Sequence, residues 1–525
     1  MSPSILRLKA SVNNYPWGKD GLQSLVAQLA PNAVGPSFQL DPSKPYSELW
    51  VGTHPNGPAA LFASQTPLLD LFTANPALLG PARAKWPTST HLPYLFKVLS
   101  IARALPLQTH PDADRARRLH AQDPAAFVDA NPKPEIAVCV GAPGSVAHVP
   151  GLAAPAGRPE DVAFGGFVGF MPVQEIADAL RATPELRSAV VDVQAVDAFL
   201  AYPAESTLQS VYSALVARGA HVAKDVRAYI ARAEGLQEAG RLGAYATLAR
   251  KVHAQYPGDV GVFATVFFMN YVQLCPGDAV YIAADEVHAY LEGDIIECMA
   301  TSDNVLNAAF PAPGSAEVRE FAEALSYKTA PPTAYALPCA PHAGTQHTTA
   351  YRPPLDEFVV LHTALPHAGA EDRFDAGGPV VGIVLSGAVN VSTGNGDQET
   401  YEKGGVMLVG PGKEVMVTAV GNGAEGSCKR CPNWWVVSSF LSQSTPGTYR
   451  YGTLVLYVSH SAPNAFRSIS SSLPARATTR STYAERTIHT SATARPARVG
   501  ATVAHHQLPG PASSVTPACT AAAPV

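Results

Sequence analysis

The spacing of apolar residues divides the chain into stretches of different secondary structure. In residues 172–255 apolar positions recur every three or four residues, as in VQEIADALRATPELRSAVV, which is typical of amphipathic helices. Residues 1–150 and 262–300 instead contain short apolar or alternating runs bounded by Pro and Gly, such as LPYLFKVLSI and EIAVCVG, which predict strands and turns. The pattern therefore predicts a β unit interrupted by an inserted helical unit.

A second β stretch and an unpatterned tail complete the chain. Within residues 355–440, VVGIVLSGAVNVST and GGVMLVGPGKEVMVTA alternate or run apolar between glycine turns, as in a β-sandwich or barrel. Residues 441–525 have seven Arg, no Lys, one acidic residue and little periodicity, so we expect disorder, with a basic interaction tail or a misread gene segment as alternatives. We divide the chain into a unit formed by 1–150 with 256–330, a helical insertion at 151–255, a β lobe at 331–440 and the tail at 441–525.

Composition and charge exclude several classes of protein. With 47% apolar and 15% charged residues, the chain can form a large core. Its formal net charge of −5 gives no electrostatic case for binding nucleic acid or an anionic membrane. No stretch approaches the ~18 apolar residues of a membrane span, so we expect a cytoplasmic protein. Seven cysteines are too sparse for a disulfide scaffold, and the CxxC of Cys428 and Cys431 reads as surface thiols because no second pair accompanies it.

Three separate segments contain residues that could bind a metal. Gln108 and His110 are two apart, which on a strand points both side chains to one face. Glu135 lies in a Lys-Pro-Glu turn, and a PGD-x4-A-x4-H pattern places His288 where a small β-barrel presents a ligand. Two imidazoles, a carboxylate and an amide suit Zn²⁺ or another borderline divalent metal with room for substrate oxygens. Each piece alone is also compatible with an ordinary polar residue or a strand-entry turn.

Several blocks, in order, resemble type I phosphomannose isomerases, which are zinc enzymes of the cupin superfamily. The blocks are NNYPWGKDG, SELWVGTHPNGPA, LPYLFKVLSIARALPLQTHPD, NPKPEIAV, AYLEGDIIECMATSDNV and PPLDEFVVL. The resemblance spans about residues 5–440, and the block at 289–305 is its most specific part. It implies a mainly β fold with an α insertion, consisting of two cupin-like jelly-roll β domains plus an inserted helical domain.

The resemblance also implies an activity and a ligand set. It implies one zinc ion per chain, bound by Gln108, His110, Glu135 and His288. It further implies a monomer that binds a small sugar phosphate, interconverts mannose 6-phosphate and fructose 6-phosphate through an enediol, and supplies GDP-mannose synthesis. A Lewis acid on the carbonyl and hydroxyl oxygens would stabilise the enediolate, and an acid/base would move the proton.

The same blocks suggest roles for five further residues. Glu297 is our candidate base, with a carboxylate that orders the ligands as the alternative. Lys133 and Lys97 would hold the phosphate or neutralise the enediolate, or else be exposed lysines without a role. Tyr290 and Asp303 would orient the ligands or the sugar hydroxyls.

One residue departs from the family pattern at a critical place. After SDNV the family has an Arg that opens Arg-Ala-Gly-Leu-Thr-Pro-Lys, whereas this chain has Asn307 at the Arg and Pro313 at the Lys. Asn offers a neutral donor in place of a guanidinium. A lysine or Arg319 could supply the cation, the chain could be a degenerate homologue, or the sequence could be locally misread. Two other functions therefore stay open, a metal-bearing sugar-phosphate binding protein and an iron-dependent cupin oxygenase.

Overall fold

The computed structural model describes residues 4–152, 158–234, 240–311, 315–421 and 433–438. The strands are β1 (Ile5–Lys9), β2 (Ser11–Asn13), β3 (Lys19–Asp20), β4 (Pro45–Tyr46), β5 (Glu48–Val51), β6 (Ala60–Leu61), β7 (Tyr94–Ile101), β8 (Leu107–Thr109), β9 (Glu135–Cys139), β10 (Phe164–Phe170), β11 (Met269–Leu274), β12 (Ala279–Ile282), β13 (His288–Ala300), β14 (Leu306–Ala309), β15 (Cys339–Pro341), β16 (Thr348–Tyr351), β17 (Val359–Ala364), β18 (Glu371–Ala376), β19 (Val380–Ser386), β20 (Ala388–Thr393), β21 (Gln398–Glu402), β22 (Val406–Val409), β23 (Lys413–Ala419) and β24 (Asn433–Ser438).

The α-helices are α1 (Leu25–Ala33), α2 (Leu68–Ala74), α3 (Pro81–Lys85), α4 (Ala113–Gln122), α5 (Val173–Ala182), α6 (Pro184–Val190), α7 (Val193–Ala201), α8 (Glu205–Val216), α9 (Ala223–Glu234), α10 (Gly240–Gln255), α11 (Gly261–Val266) and α12 (Ser315–Ala324). Helices α5 to α10 fall in the stretch where apolar residues recur at helical spacing. The prediction of a mainly β fold with a helical insertion is confirmed. None of the described helices is long and apolar enough to cross a membrane.

The long strand β13 organises the first sheet. Its first half pairs with β10, and its second half lies between β7 and β9. Nearly every residue of β13 is buried, and neighbouring strands pair along both its edges. Gly293 lies where the pairing changes from β10 to β7 and has a φ of 115°, a backbone conformation that a glycine adopts without a steric cost.

A second sheet joins the two ends of the described chain. Its order is β15-β16-β17-β24-β19-β22-β1-β6, so the N-terminal strand β1 pairs with β22 near residue 408. A third sheet contains β18, β23, β20 and β21. The pairing of β1 with β22 crosses the proposed boundary between the 1–150 unit and the 331–440 lobe. The domain boundaries therefore stay a prediction.

The helical insertion packs around one apolar core. In α5 the buried side chains are Ile176, Ala177, Ala179 and Leu180, which form one stripe at helical spacing. This core also includes residues of β10, β11 and the start of β13, so the insertion supports the strand that carries His288. The predictions for the 441–525 tail and for the Cys428–Cys431 pair lie outside the described residues.

Candidate metal centre

The four predicted metal ligands lie on neighbouring strands of the first sheet. Gln108 is in β8, His110 follows β8, Glu135 begins β9 and His288 begins β13. His288 is paired with Gln108, and residues directly opposite each other in antiparallel strands point to one face. The ligand atoms of His110, Glu135 and His288 all lie within 4.8 Å of one another. The structure therefore gathers these three side chains into a cluster, with Gln108 on the same face.

Backbone carbonyl groups fix the orientation of both histidines. The His110 Nδ1 atom lies 2.9 Å from the carbonyl oxygen of Asn304, and the His288 Nδ1 atom lies 3.1 Å from that of Glu286. An N–H donated from Nδ1 leaves the lone pair on Nε2, which makes Nε2 the nitrogen of each ring that can bind a metal. Burial and the charge of Lys133 lower the pKa of His110 to about 3, and burial also lowers the pKa of His288. Both rings are therefore neutral, which is the form that binds metals.

Glu135 supplies the negative charge at the centre. Burial alone would raise its pKa, but the charge of Lys133 and the contact with His110 hold the pKa well below the usual range. The Lys133 Nζ atom donates to Glu135 Oε2 at 2.9 Å and lies 3.0 Å from His110 Nε2. The Tyr290 hydroxyl donates to Glu135 Oε1 at 2.8 Å. Tyr290 therefore contacts the carboxylate directly, and Lys133 bridges two of the predicted ligands.

The donor set passes a direct test of its fit to a metal. The Nε2 atom of His288 is buried and has no hydrogen-bond partner among the residues that the structure describes. A buried unpaired nitrogen is costly, and a metal ion would satisfy it. The Glu135 Oε1 atom lies 3.5 Å from this nitrogen. Two neutral imidazoles and an ionised carboxylate converging on one point are the donors that Zn²⁺ prefers.

A second group of charges lies next to the centre, around Lys97. Lys97 is opposite Glu297 in the pairing of β7 with β13, and its Nζ atom lies 3.4 Å from Glu297 Oε1. Nζ also lies 3.9 Å from Glu48 Oε1 and 4.2 Å from the centre of the Trp50 ring. Burial disfavours the charged form of Lys97, but Glu48 and Glu297 outweigh it and raise the pKa. Lys97 is therefore a buried cation held between two carboxylates.

Glu297 combines burial with a raised pKa. Burial, followed by the negative charge of Glu135, raises its pKa to about 7, while Lys97 and Lys133 oppose the rise. Glu297 is about 4% exposed, so these charges are poorly screened by water. A carboxyl group with this pKa can both accept and release a proton near neutral pH.

Asn307 lies beside the ligands, but it faces an acidic partner. Asn307 in β14 is opposite Gln108 in β8, which is the residue paired with His288. Its backbone N–H and its Nδ2 group both donate to Glu317 Oε1, at 3.0 and 2.9 Å. The expected neutral donor is therefore directed to Glu317 of α12. Arg319 is exposed on the same helix, and Lys133 is the lysine in contact with the ligands.

Asp303 belongs to a loop network between β13 and β14. Its carboxylate accepts from Asn56 Nδ2 at 2.8 Å, and its backbone N–H donates to Asp129 Oδ2 at 3.1 Å. Three residues of this neighbourhood escaped the sequence-based prediction: Glu48, Trp50 and Glu317. Glu48 and Trp50 lie in the block SELWVGTH, which was recognised only as a block. Nothing in the sequence pairs Glu317 with Asn307.

The fold and the site together define a mainly β protein with a helical insertion and a buried His-Glu-His centre. Residues 5–144 match the model described as "Phosphomannose isomerase type I, catalytic domain", and residues 185–269 match "Phosphomannose isomerase type I, helical insertion domain". The mannose-6-phosphate isomerase of Emericella nidulans is 33% identical over 462 residues, which cover 81% of this chain and 95% of that protein. That of Cryptococcus neoformans is 35% identical over 451 residues, covering 80% and 97%. The chain therefore belongs to the type I phosphomannose isomerase family.

A solved structure supports the fold. A zinc-bound mannose 6-phosphate isomerase superposes with a TM-score of 0.64 at 22% identity, covering 83% of this chain and 99% of that one. At this identity the match bears on the fold alone. It agrees with the arrangement of sheets around a helical insertion.

Proposed function

We propose that this chain is a zinc-dependent mannose-6-phosphate isomerase that interconverts mannose 6-phosphate and fructose 6-phosphate through an enediol. The relatives that match over nearly their whole length carry this name. The observation that carries the proposal is the convergence of His110, Glu135 and the unpaired His288 Nε2 atom. Under this proposal one zinc ion binds per chain, and Gln108 is the fourth protein ligand. Supply of GDP-mannose synthesis in the cytoplasm, by a monomer, is part of the same proposal.

Bound zinc would act as a Lewis acid that stabilises negative charge on the two substrate oxygens. The protein's own residues would hold that centre in place. Tyr290 donates to Glu135, and the carbonyl groups of Asn304 and Glu286 orient the imidazoles. Such supporting contacts typically change metal affinity by about 10–100-fold when they are removed. Tyr290 would therefore orient the proposed ligand Glu135, and Asp303 would hold the loop that leads into β14.

Glu297 would move the proton between carbons 1 and 2. Its pKa of about 7 allows it to take a proton from one carbon and return it to the other. Lys97 lies 3.4 Å away and stabilises the carboxylate form after the proton has left. Lys133 carries a positive charge at the ligands and would compensate charge on the enediolate. Without the family Arg, these two lysines are the buried cations of the described site.

A second candidate function is a metal-bearing sugar-phosphate binding protein. Asn307 favours it, because an amide tied to Glu317 gives no positive charge to a transition state. Losing one preorganised donor typically costs about 10²–10³-fold in rate. This function predicts zinc and sugar-phosphate binding without turnover.

A coupled assay with mannose 6-phosphate separates the two functions. We expect the zinc-loaded protein to turn over, a chelator to abolish the rate, and added Zn²⁺ to restore it. Calorimetry with the same sugar provides the binding measurement. Binding without turnover in the zinc-loaded protein would reject the isomerase and support the binding protein. If a chelator removes all the bound metal and the protein still turns over mannose 6-phosphate, the proposed role of the metal is rejected.

A further inference from the structure

Glu317 fixes the orientation of the Asn307 side chain. One carboxylate oxygen, Oε1, accepts from the backbone N–H of Asn307 at 3.0 Å and from Nδ2 at 2.9 Å. An ionised carboxylate accepts and does not donate, so the amide must present its NH₂ group to it. The carbonyl oxygen Oδ1 is consequently turned away from Glu317. The helix α12 thus sets which end of the Asn307 amide is available.

The available end is a buried acceptor without a partner. Asn307 Oδ1 is buried and makes no hydrogen bond to any described residue. Buried acceptors that stay unpaired are uncommon and cost about 1–3 kcal/mol. An unpaired acceptor next to the predicted metal ligands can receive a hydrogen bond from a ligand donor.

The strand register places this acceptor on the face of the metal ligands. Asn307 is opposite Gln108, and Gln108 is opposite His288, so the three side chains form a row across β14, β8 and β13. The acceptor therefore lies one strand away from the predicted ligand Gln108 and two strands away from His288.

We propose that Asn307 Oδ1 accepts a hydrogen bond from the hydroxyl on carbon 3 or carbon 4 of the sugar, and that Glu317 is the positioning residue that aims it. This inference rests on the proposed function and names the sugar contact of the same site. A carbonyl oxygen backed by a carboxylate attracts an O–H and repels a phosphate dianion. This side of the site therefore receives a hydroxyl, and the phosphate of the substrate lies on another side.

A double-mutant cycle, in which one change is made in the protein and the other in the sugar, tests the contact. Mannose 6-phosphate and its 3-deoxy and 4-deoxy analogues are titrated into the zinc-loaded wild type and the Asn307→Ala variant by calorimetry. We expect Asn307→Ala to weaken mannose 6-phosphate about ten-fold, and one analogue to lose the same factor in the wild type. That analogue should bind the wild type and Asn307→Ala with equal affinity, because it lacks the hydroxyl and the contact is therefore already absent in the wild type. Equal ten-fold losses for all three sugars on Asn307→Ala would overturn the proposal, as would no loss.

Variants of Glu317 test the positioning role. Glu317→Gln keeps a carbonyl acceptor for Asn307 and should bind like the wild type, whereas Glu317→Ala should reproduce the selective loss seen in Asn307→Ala. Glu323→Ala is the matched control, an exposed glutamate of the same helix. A Glu317→Ala variant that keeps the full discrimination between the sugars would overturn the positioning role. These experiments measure Kd, so they test the sugar contact even if the protein shows no turnover. A wild-type protein that binds none of the sugars would refute both this proposal and the proposed function.

Discussion

Replacing Lys97 by Met tests whether Glu297 is the group that titrates during turnover. The Lys97 Nζ atom lies 3.4 Å from Glu297 Oε1 in a site where both side chains are about 5% exposed. At an effective dielectric constant of about 20, two opposite charges at this distance attract each other by about 5 kcal/mol. This is an upper limit for the effect of the substitution, because water that enters the variant would stabilise the Glu297 carboxylate in place of Lys97. Each pKa unit corresponds to about 1.4 kcal/mol, so the Glu297 pKa should rise by up to about 3.5 units.

The sign of the change follows from the charges. Lys97 favours the ionised form of Glu297, and its removal favours the protonated form. A base works when it is deprotonated, so activity should rise with pH through the Glu297 pKa. In the wild type, burial and the charge of Glu135 raise that pKa to about 7, and the positive charge of bound zinc should oppose this rise. The acid limb of kcat/KM for Lys97→Met should therefore lie at a higher pH than that of the wild type.

The assay is a coupled measurement of kcat/KM for mannose 6-phosphate across pH 5.5 to 9.5 (an assay range of roughly four units centred near the expected pKa). Lys19→Met is the matched control, because Lys19 pairs at 2.7 Å with Asp294, another carboxylate of β13. The control should leave the acid limb in place. If the Lys97→Met limb coincides with that of the wild type while turnover persists, Glu297 is not the titrating base. Circular dichroism verifies that each variant is folded.

Three further predictions address the metal, the missing cation and the central strand. His288→Ala should no longer bind one equivalent of zinc. One of four ligands supplies roughly a quarter of a zinc-binding free energy of about 12 kcal/mol, which is about 10²-fold in affinity. A full equivalent of zinc retained after dialysis, measured by plasma mass spectrometry, would refute the assignment of His288 as a ligand. Asn307→Arg should raise kcat by up to about 10²-fold, and more in combination with Glu317→Gln, because Glu317 would otherwise pair with the new cation; equal rates in wild type, single and double variants would show that the position is not limiting. Gly293→Ala should lower the free energy of unfolding, measured in urea, by about 2–4 kcal/mol, because the new Cβ would lie 2.5 Å from a backbone carbonyl oxygen at a residue with positive φ. Gly394→Ala is the control, since open space surrounds that position, and it should change the free energy of unfolding by less than about 1 kcal/mol. Similar losses in both variants would contradict the steric explanation.

The local patterns in the sequence predicted the elements whose burial is periodic. The strand at LPYLFKVLSI corresponds to β7, and the helical spacing in VQEIADALRA corresponds to α5. The prediction that residues 1–150 consist mostly of strands and turns missed the four helices α1 to α4. In α4 only Ala116 and Leu119 are buried, which leaves too few apolar positions for a visible period. Helix α1 contains Pro31, a residue that usually argues against a helix interior.

Long-range pairing explains what the sequence could not provide. Nothing local to β1 indicates that it pairs with β22, since strand partners are chosen by tertiary packing. The ligand types could be read from spacing and resemblance, but the contact of Lys133 with His110 and Glu135 required the folded sheet. The role of Asn307 changed most. Its sequence suggested a weak donor, and its contact with Glu317 leaves an acceptor.

The position of β13 has a consequence for how the protein is made. Gln108, His110 and Glu135 precede the helical insertion along the chain, whereas His288 follows it. During synthesis the first three residues emerge from the ribosome well before the fourth, and N-terminal segments generally fold first. The proposed metal centre therefore cannot form until the insertion has been synthesised and β13 has entered the sheet. Because β13 carries both His288 and Glu297, its docking would deliver a proposed metal ligand and the proposed base in a single late step of folding.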